Sequence, residues 1–185
     1  PTYTVTLNAG NGTINSGNVT SYTYGVGATL PTADDMTYTG HTFKGWYDNE
    51  NLTGSPVTAI GGAETGNKEY WAKWEINQYT ITFDTNGGSE IAPITQDYGT
   101  EITAPDNPTR KGYTFKGWDK EIPETMPAEN ITVKAQWEIN RYTITFDTAG
   151  GSEIASSEAV AQMLDSMPLR GIVNFGGPAA AGMIT

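Results

Sequence analysis

A pattern that recurs three times limits what this chain can fold into more than any other feature of its sequence. The repeated segment opens as Tyr-Thr-hydrophobic-Thr-hydrophobic and begins at Tyr3, Tyr79 and Tyr142. Each copy is shorter than a typical domain of about 100–150 residues, so each copy must fold around a small core of its own. Repetition of this kind predicts a tandem array of small modules.

The first two copies share further landmarks in the same order, which indicates where each copy ends. These landmarks are a Tyr-Gly pair at Tyr24 and Tyr98, a proline at Pro31 and Pro105, a Gly-His/Tyr-Thr-Phe-Lys-Gly-Trp segment at residues 40–46 and 112–118, and a closing Trp-Glu-Ile-Asn at residues 74–77 and 137–140. We assign repeat 1 to residues 1–77, repeat 2 to 78–140, the start of a truncated repeat 3 to 141–155, and a divergent tail to 156–185. The extra length of repeat 1 predicts a loop insertion in residues 48–66.

Alternating residues predict a strand at each end of a repeat. The segments that begin at Tyr3 and Tyr79 alternate aromatic or aliphatic residues with threonines, as a strand with one buried face does. The closing segments alternate again, and this places Trp74 and Trp137 on the buried face. Residues 104–112 contain two prolines and a glycine, which exclude a long helix. The fold class is therefore predicted to be mainly β, at most α+β.

The joins between repeats are short. Only two residues separate Ile76 from Tyr79, and two separate Ile139 from Tyr142. A flexible linker needs more residues than this, so we expect a semi-rigid connection between neighbouring repeats.

Composition excludes several classes of partner and cofactor. With 21 acidic and 10 basic residues, the formal net charge is -11, which repels the phosphate backbone of nucleic acids. Cysteine is absent, so disulfides and thiolate metal sites cannot form. The sequence contains no apolar run of the roughly 20 residues that span a bilayer. We therefore expect no nucleic-acid partner, no membrane insertion within this chain and no cofactor.

The residues that could carry catalysis do not form a recognisable set. His41 is the sole histidine, and repeat 2 has Tyr113 at the same place, so we interpret His41 as a strand or surface residue. No Gly-x-Ser-x-Gly elbow accompanies it, and acidic residues such as Asp48 and Asp84 lack the ligand spacing of a calcium loop. The sequence predicts no catalytic residue and no metal site.

Four aromatic residues are the main candidates for either core or contact surface. Trp46 and Trp118 follow Lys-Gly at equivalent places, and we predict that each fills the core of its own repeat. Trp71 lies on the opposite face of its strand from Trp74. Together with Tyr47, it is the candidate for an exposed ligand contact.

The repeat resembles a known family through three segments. Residues 79–88, 112–118 and 133–137 are similar to the Listeria–Bacteroides repeat, which includes the internalin B-repeats. This resemblance implies a compact β-grasp-like module that occurs in tandem in secreted or wall-attached bacterial proteins. It implies no catalytic residue, because the shared positions are aromatic residues and glycines.

The tail departs from the repeat pattern after Ala155. A serine precedes an apolar series at helical spacing in residues 156–165, which predicts a short C-terminal helix. Residues 167–177 resemble the C-terminal end of some family 3 glycoside hydrolases, although a native terminal segment unrelated to that family fits them equally well.

Two classes of function remain open from the sequence. The first is a non-enzymatic segment of a secreted or cell-surface bacterial protein, serving as an adhesive module or as a semi-rigid spacer. Its partners would be a host or cell-surface protein or a glycan, and its location extracellular or at the cell wall. The alternative is an accessory C-terminal region of a secreted carbohydrate-active enzyme.

Overall fold

The computed structural model describes residues 1–152 and 155, together with the backbone of residues 157–160 and 174–176. Within these residues one short 3₁₀ helix, Ala33–Asp35, accompanies fifteen strands. The strands are β1 (Thr2–Asn8), β2 (Thr13–Ile14), β3 (Ser21–Thr23), β4 (Ala28–Thr29), β5 (Met36–Thr37), β6 (His41–Tyr47), β7 (Ala59–Ile60), β8 (Lys68–Ile76), β9 (Gln78–Asp84), β10 (Ile94–Asp97), β11 (Tyr113–Trp118), β12 (Ile131–Ile139), β13 (Arg141–Thr145), β14 (Ser157–Val160) and β15 (Asn174–Gly176).

The mainly β prediction is confirmed, whereas the prediction of a C-terminal helix is wrong where the structure describes it. Residues 157–160 form β14, which pairs antiparallel with β13, so that Arg141 lies opposite Val160. The pairing satisfies the backbone donors and acceptors of this segment through a neighbouring strand, and this outweighs the helical spacing of its apolar residues. Residues 161–165 of the predicted helix lie outside the described residues.

Repeat 1 forms a four-stranded sheet with the strand order β3-β1-β8-β6. Its two central strands, β1 and β8, are parallel, and Leu7 lies opposite Tyr70. The outer strands β3 and β6 pair antiparallel with β1 and β8. A parallel pair needs a long crossover connection, and the residues between β1 and β8 provide it.

Repeat 2 has a sheet with the order β10-β9-β12-β11, which is the same arrangement of equivalent strands. The shared Phe-Lys-Gly-Trp segment produces the same irregularity in both sheets. The register shifts between Phe43 and Gly45 in repeat 1 and between Phe115 and Gly117 in repeat 2. Both glycines have positive φ, +123° and +111°, which a residue with a Cβ rarely adopts. The repeated glycine therefore encodes a β-bulge.

By compactness the chain divides into two units. Unit 1 comprises Pro1–Ile81, Ile94–Thr103 and Pro123–Ile131, and unit 2 comprises Thr82–Pro93, Ala104–Ile122 and Thr132–Thr185.

The core of unit 1 is centred on Trp46. This side chain is 1% exposed, and its Nε1 donates a hydrogen bond to the Pro31 carbonyl oxygen at 2.9 Å. The prediction that Trp46 fills the core is confirmed. Tyr70 belongs to the same cluster, and Ala72 and Trp74 pack against it, as the alternation in β8 predicts.

In unit 2, Trp118 is half-buried. Its ring centroid lies 5.4 Å from that of Phe83 and 5.3 Å from that of Phe115. Trp118 thus packs against its own repeat but fills less of a closed core than Trp46 does.

Trp74 and Trp137, near the end of each repeat, hydrogen-bond to the turn that follows the first strand of the same repeat. Trp74 Nε1 donates to the Ala9 carbonyl at 2.9 Å, and Trp137 Nε1 donates to the Thr85 carbonyl at 3.0 Å. In each case the ring occupies the space where a Cβ on Gly12 or Gly88 would lie. The glycines of these turns are required by the close approach of a tryptophan ring.

Candidate functional sites at the joins and on repeat 1

The joins, the single residues that connect the last strand of one repeat to the first strand of the next, have the same structure at both places. Strand β8 ends at Ile76 and β9 begins at Gln78, so Asn77 alone connects them. Asn140 connects β12 to β13 in the same way.

Asn77 is held by its backbone and by both ends of its side-chain amide. Its N–H donates to the Gly40 carbonyl at 2.8 Å. Its Oδ1 accepts a hydrogen bond from Thr42 Oγ1 at 2.6 Å, and its Nδ2 donates to the Tyr79 hydroxyl at 3.3 Å. These bonds tie the last residue of repeat 1 both to its own β6 and to the first strand of repeat 2.

Asn140 makes the same set of bonds in unit 2. Its N–H donates to the Gly112 carbonyl at 2.9 Å, Thr114 Oγ1 donates to its Oδ1 at 2.7 Å, and its Nδ2 donates to the Tyr142 hydroxyl at 3.4 Å. All of these residues belong to unit 2, and those of the Asn77 join belong to unit 1. Each join is therefore an internal part of a compact unit.

An aromatic contact reinforces the join at Asn77. Tyr98 N donates to the Asn77 carbonyl at 2.8 Å, and the Tyr98 ring covers the position where a Cβ on Gly40 would lie. The His41 ring is nearly perpendicular to the Tyr98 ring, with centroids 6.2 Å apart, and it stacks on the Tyr38 ring, with centroids 3.8 Å apart. The sole histidine is thus a packed residue of strand β6, in agreement with the sequence interpretation.

The two predicted ligand-contact residues lie directly opposite each other. Tyr47 on β6 pairs with Trp71 on β8. Trp71 is half-buried, but Tyr47 is only 7% exposed, so the expected exposure of Tyr47 is wrong. The inserted segment runs beside β6, since Val57 N donates to the Trp46 carbonyl at 2.7 Å, and the Lys73 ammonium lies 5.3 Å from the Tyr47 ring. The Lys73 side chain therefore lies over the Tyr47 ring.

The same insertion forms a pocket of about 430 Å³ beside Trp71. Its polar lining comes from Asp48, Glu64, Asn67, Lys68 and Glu69. Lys68 Nζ lies 2.7 Å from Glu64 Oε2, and this hydrogen bond raises the pKa of the lysine from its ordinary value of 10.5. The pocket thus combines an indole ring with carboxylates, an amide and a paired ammonium group.

Repeat 2 has charged residues at the places of the aromatic pair. Asp119 and Lys134 replace Tyr47 and Trp71, and Lys134 N donates to Asp119 Oδ1 at 2.6 Å. Lys134 Nζ also lies 3.3 Å from Asp84 Oδ2. The aromatic pocket is therefore a property of repeat 1. The sequence signal for it was the extra length of residues 48–66, which predicted a loop but not the pocket.

Within the part of the chain that the structure describes, acidic residues and His41 form no cluster of three or more that could hold a metal ion. Among the same residues, no helix has the length and apolar character needed to cross a membrane.

Comparison with known families gives the repeat a name. The sequence model of the Listeria-Bacteroides repeat domain matches residues 3–73 and 79–136. The chain belongs to this family. The two matched segments begin at Tyr3 and Tyr79, where the internal repeats begin. The resemblance that the sequence indicated is confirmed.

Several longer proteins contain segments that are similar to this chain. Two come from Evansella cellulosilytica, with provisional names that describe a membrane protein and a Gly-rich membrane protein. They are 42% identical over 131 residues and 38% identical over 140 residues, which cover 65% and 71% of this chain. Internalin H of Listeria monocytogenes is 42% identical over 81 residues, or 39% of this chain. The matched segments make up 19%, 16% and 14% of these three relatives, so the chain spans less than a fifth of each. None of the three is named as a carbohydrate-active enzyme, and they give that alternative no support.

Proposed function

We propose that this chain is a non-enzymatic repeat segment of a bacterial secreted or cell-surface protein and that it serves as a semi-rigid spacer. The observation that carries this proposal is the bonding of Asn77 and Asn140, each of which connects two strands without an intervening loop. Residues 1–77 and 78–140 are its two complete repeats. The parallel pair β1–β8 with antiparallel outer strands supports a β-grasp-like architecture for repeat 1.

The physical basis of a stiff join is the loss of rotational freedom at a single residue. A flexible linker needs several residues whose φ and ψ can vary independently. At Asn77 the backbone N–H bonds to Gly40, the side-chain carbonyl to Thr42 on β6 and the side-chain amide to Tyr79 on β9. Each such bond contributes only about 1 kcal/mol, but together they oppose rotation about one pair of dihedral angles.

The spacer proposal is tested by distance distributions between spin labels. Because the chain has no cysteine, single cysteines at the exposed positions Asn51 and Glu129, which lie in repeats 1 and 2 and both within unit 1, give a clean labelling pair across the Asn77 join. We expect one narrow distance distribution, and we expect Asn77→Gly to broaden it. Asn18→Gly, the same change at an exposed loop residue, is the matched control. A distribution that is equally broad in the unaltered chain and in Asn77→Gly would contradict the proposal.

The pocket on repeat 1 supports saccharide binding as a second candidate function. An indole ring packs well against the C–H face of a sugar, and carboxylates and amides accept or donate hydrogen bonds to its hydroxyls. Trp71 and the pocket residues Asp48, Asn67 and Glu69 supply these groups.

A glycan array with the full chain tests this second function. We expect saturable binding that Trp71→Ala abolishes and that Lys134→Ala, the change at the equivalent position of repeat 2, leaves intact. No binding across the array by a folded protein would leave the spacer function alone.

A further inference from the structure

Tyr24 of repeat 1 occupies the same structural position as Tyr98 of repeat 2. In repeat 1, Thr23 lies opposite Thr2, and in repeat 2 Asp97 lies opposite Gln78, so each tyrosine immediately follows an equivalent strand position. Tyr24 N donates to the Pro1 carbonyl at 3.0 Å, as Tyr98 N donates to the Asn77 carbonyl.

The surroundings of the two tyrosines differ. Tyr98 is half-buried because its ring lies over Gly40 and beside His41. Tyr24 is 50% exposed, and Val26 in the same turn is 79% exposed. The feature that buries Tyr98 has no counterpart around Tyr24 in the described part of the chain.

The contact between Tyr98 and Gly40 shows what kind of surface the Tyr24 ring could pack against. Gly40 has a φ of +70° and lacks the Cβ that would collide with the Tyr98 ring. Its carbonyl accepts the backbone hydrogen bond from the join residue Asn77. Repeat 2 has the same turn at Gly112, which has a φ of +78° and accepts from Asn140 N. The complementary surface is therefore the Gly-His/Tyr-Thr-Phe turn of another repeat.

We propose that Tyr24 is the docking residue for the glycine turn of a further Listeria-Bacteroides repeat joined in front of residue 1. The proposal rests on the spacer function, since it extends the same join by one repeat. The relatives leave room for such a neighbour, because their matched segments make up less than a fifth of their lengths. In this arrangement Pro1 lies at the position of Asn77 and its carbonyl accepts from Tyr24 N in the same way, but a proline has no N–H or side-chain amide to bond to the incoming turn. The docking contact is therefore made by the Tyr24 ring, which covers the incoming glycine.

The test compares the full chain with an extended chain in which a second copy of residues 1–77 replaces Pro1. Docking is measured as the protection from hydrogen exchange of the β1 and β3 amides next to Tyr24 of the original copy, the second Tyr24 along the extended chain. In the extended chain, Tyr24→Ala in the original copy, which follows the added one, is expected to reduce the protection of these amides about tenfold. The same substitution in the chain without the added copy is expected to change their protection less than about threefold. Tyr98→Ala in the original chain is the positive control, with an expected loss of about tenfold at the Asn77 amide.

A double-mutant cycle separates docking from general destabilisation. Gly40→Ala in the added copy and Ala at the second Tyr24 are expected to be non-additive, because each removes the same contact. Additive effects, or a loss below about threefold for Tyr24→Ala in the extended chain, would overturn the docking proposal. If Tyr98→Ala still lowers protection in that case, the spacer function stands without it. If Tyr98→Ala also leaves protection at the Asn77 amide unchanged, the ring contact of Tyr98 does not stabilise the join, and both the docking proposal and this part of the spacer argument are refuted.

Discussion

Replacing Trp46 with alanine tests the packing of repeat 1 most directly. The side chain is 1% exposed, and its ring centroid lies 5.5 Å from that of Phe43. Truncating a buried Trp costs about 3–5 kcal/mol through lost transfer energy and the remaining cavity. The change also removes the donor to the buried Pro31 carbonyl, which places the expected loss near the upper end, about 4–5 kcal/mol. Small domains have total stabilities at the low end of about 5–15 kcal/mol, so repeat 1 should be close to unfolding.

Trp118→Ala is the matched change in repeat 2, where the ring is half-buried. Because Trp118 is less completely buried than Trp46, we expect a smaller loss, about 3 kcal/mol. Hydrogen exchange by mass spectrometry measures both variants, since it assigns the free energy of opening to individual strands without assuming that both repeats unfold together. Circular dichroism during urea unfolding supplies an independent value for the whole chain. Equal losses at Trp46 and Trp118, or a loss below about 1 kcal/mol at Trp46, would refute this account of the core.

Two further predictions concern the acid stability of repeat 1 and the repeated bulge. Hydrogen bonds from Ser16, and then from the backbone and side chain of Thr32, hold the pKa of the Asp35 carboxyl below its ordinary value of 3.8. The ionised carboxylate therefore stabilises repeat 1 above that pH, and this stabilisation is lost as the pH falls below it. Asp35→Asn should therefore reduce the fall of the urea midpoint at acidic pH, and an unchanged fall would contradict the stabilising role of Asp35. Gly45→Ala should destabilise its repeat more than Gly117→Ala does. Both substitutions impose strain of about 1–3 kcal/mol at positive φ, but only the first brings a Cβ to 2.6 Å from Pro56 Cβ. Urea unfolding of the two variants checks this order, and equal losses would show that Pro56 moves aside.

The opening and closing strands were predictable because their alternation has the period of a strand and no neighbouring segment competes with it. Tyr47 was mispredicted for a physical reason. Beyond the bulge at Gly45, Trp46 and Tyr47 pair in regular register with Ala72 and Trp71, so their side chains point to opposite faces of β6, and both are buried. A pattern of period two does not show whether the second face of a strand is also covered.

Residues 157–160 show the limit of local periodicity. The apolar spacing of residues 156–165 predicted a helix, yet residues 157–160 form β14 because β13 offers a ladder of backbone partners. The short joins were visible in the sequence, but the bonds that fix Asn77 come from residues distant along the chain, including Thr42. The pocket depends likewise on how residues 48–66 fold against β8, which no local pattern describes.

The parallel pairing of β1 with β8 also determines how repeat 1 bears tension. These are the first and last strands of the repeat, and they lie side by side with Val5 opposite Lys68 and Asn8 opposite Trp71. A force that pulls the two ends of the repeat apart acts along the strands and loads all the hydrogen bonds between them at once. Bonds arranged this way must break together, whereas those of a hairpin pulled from its open end break one after another. Tension applied to the two ends of repeat 1 therefore shears the β1–β8 pair instead of unzipping it.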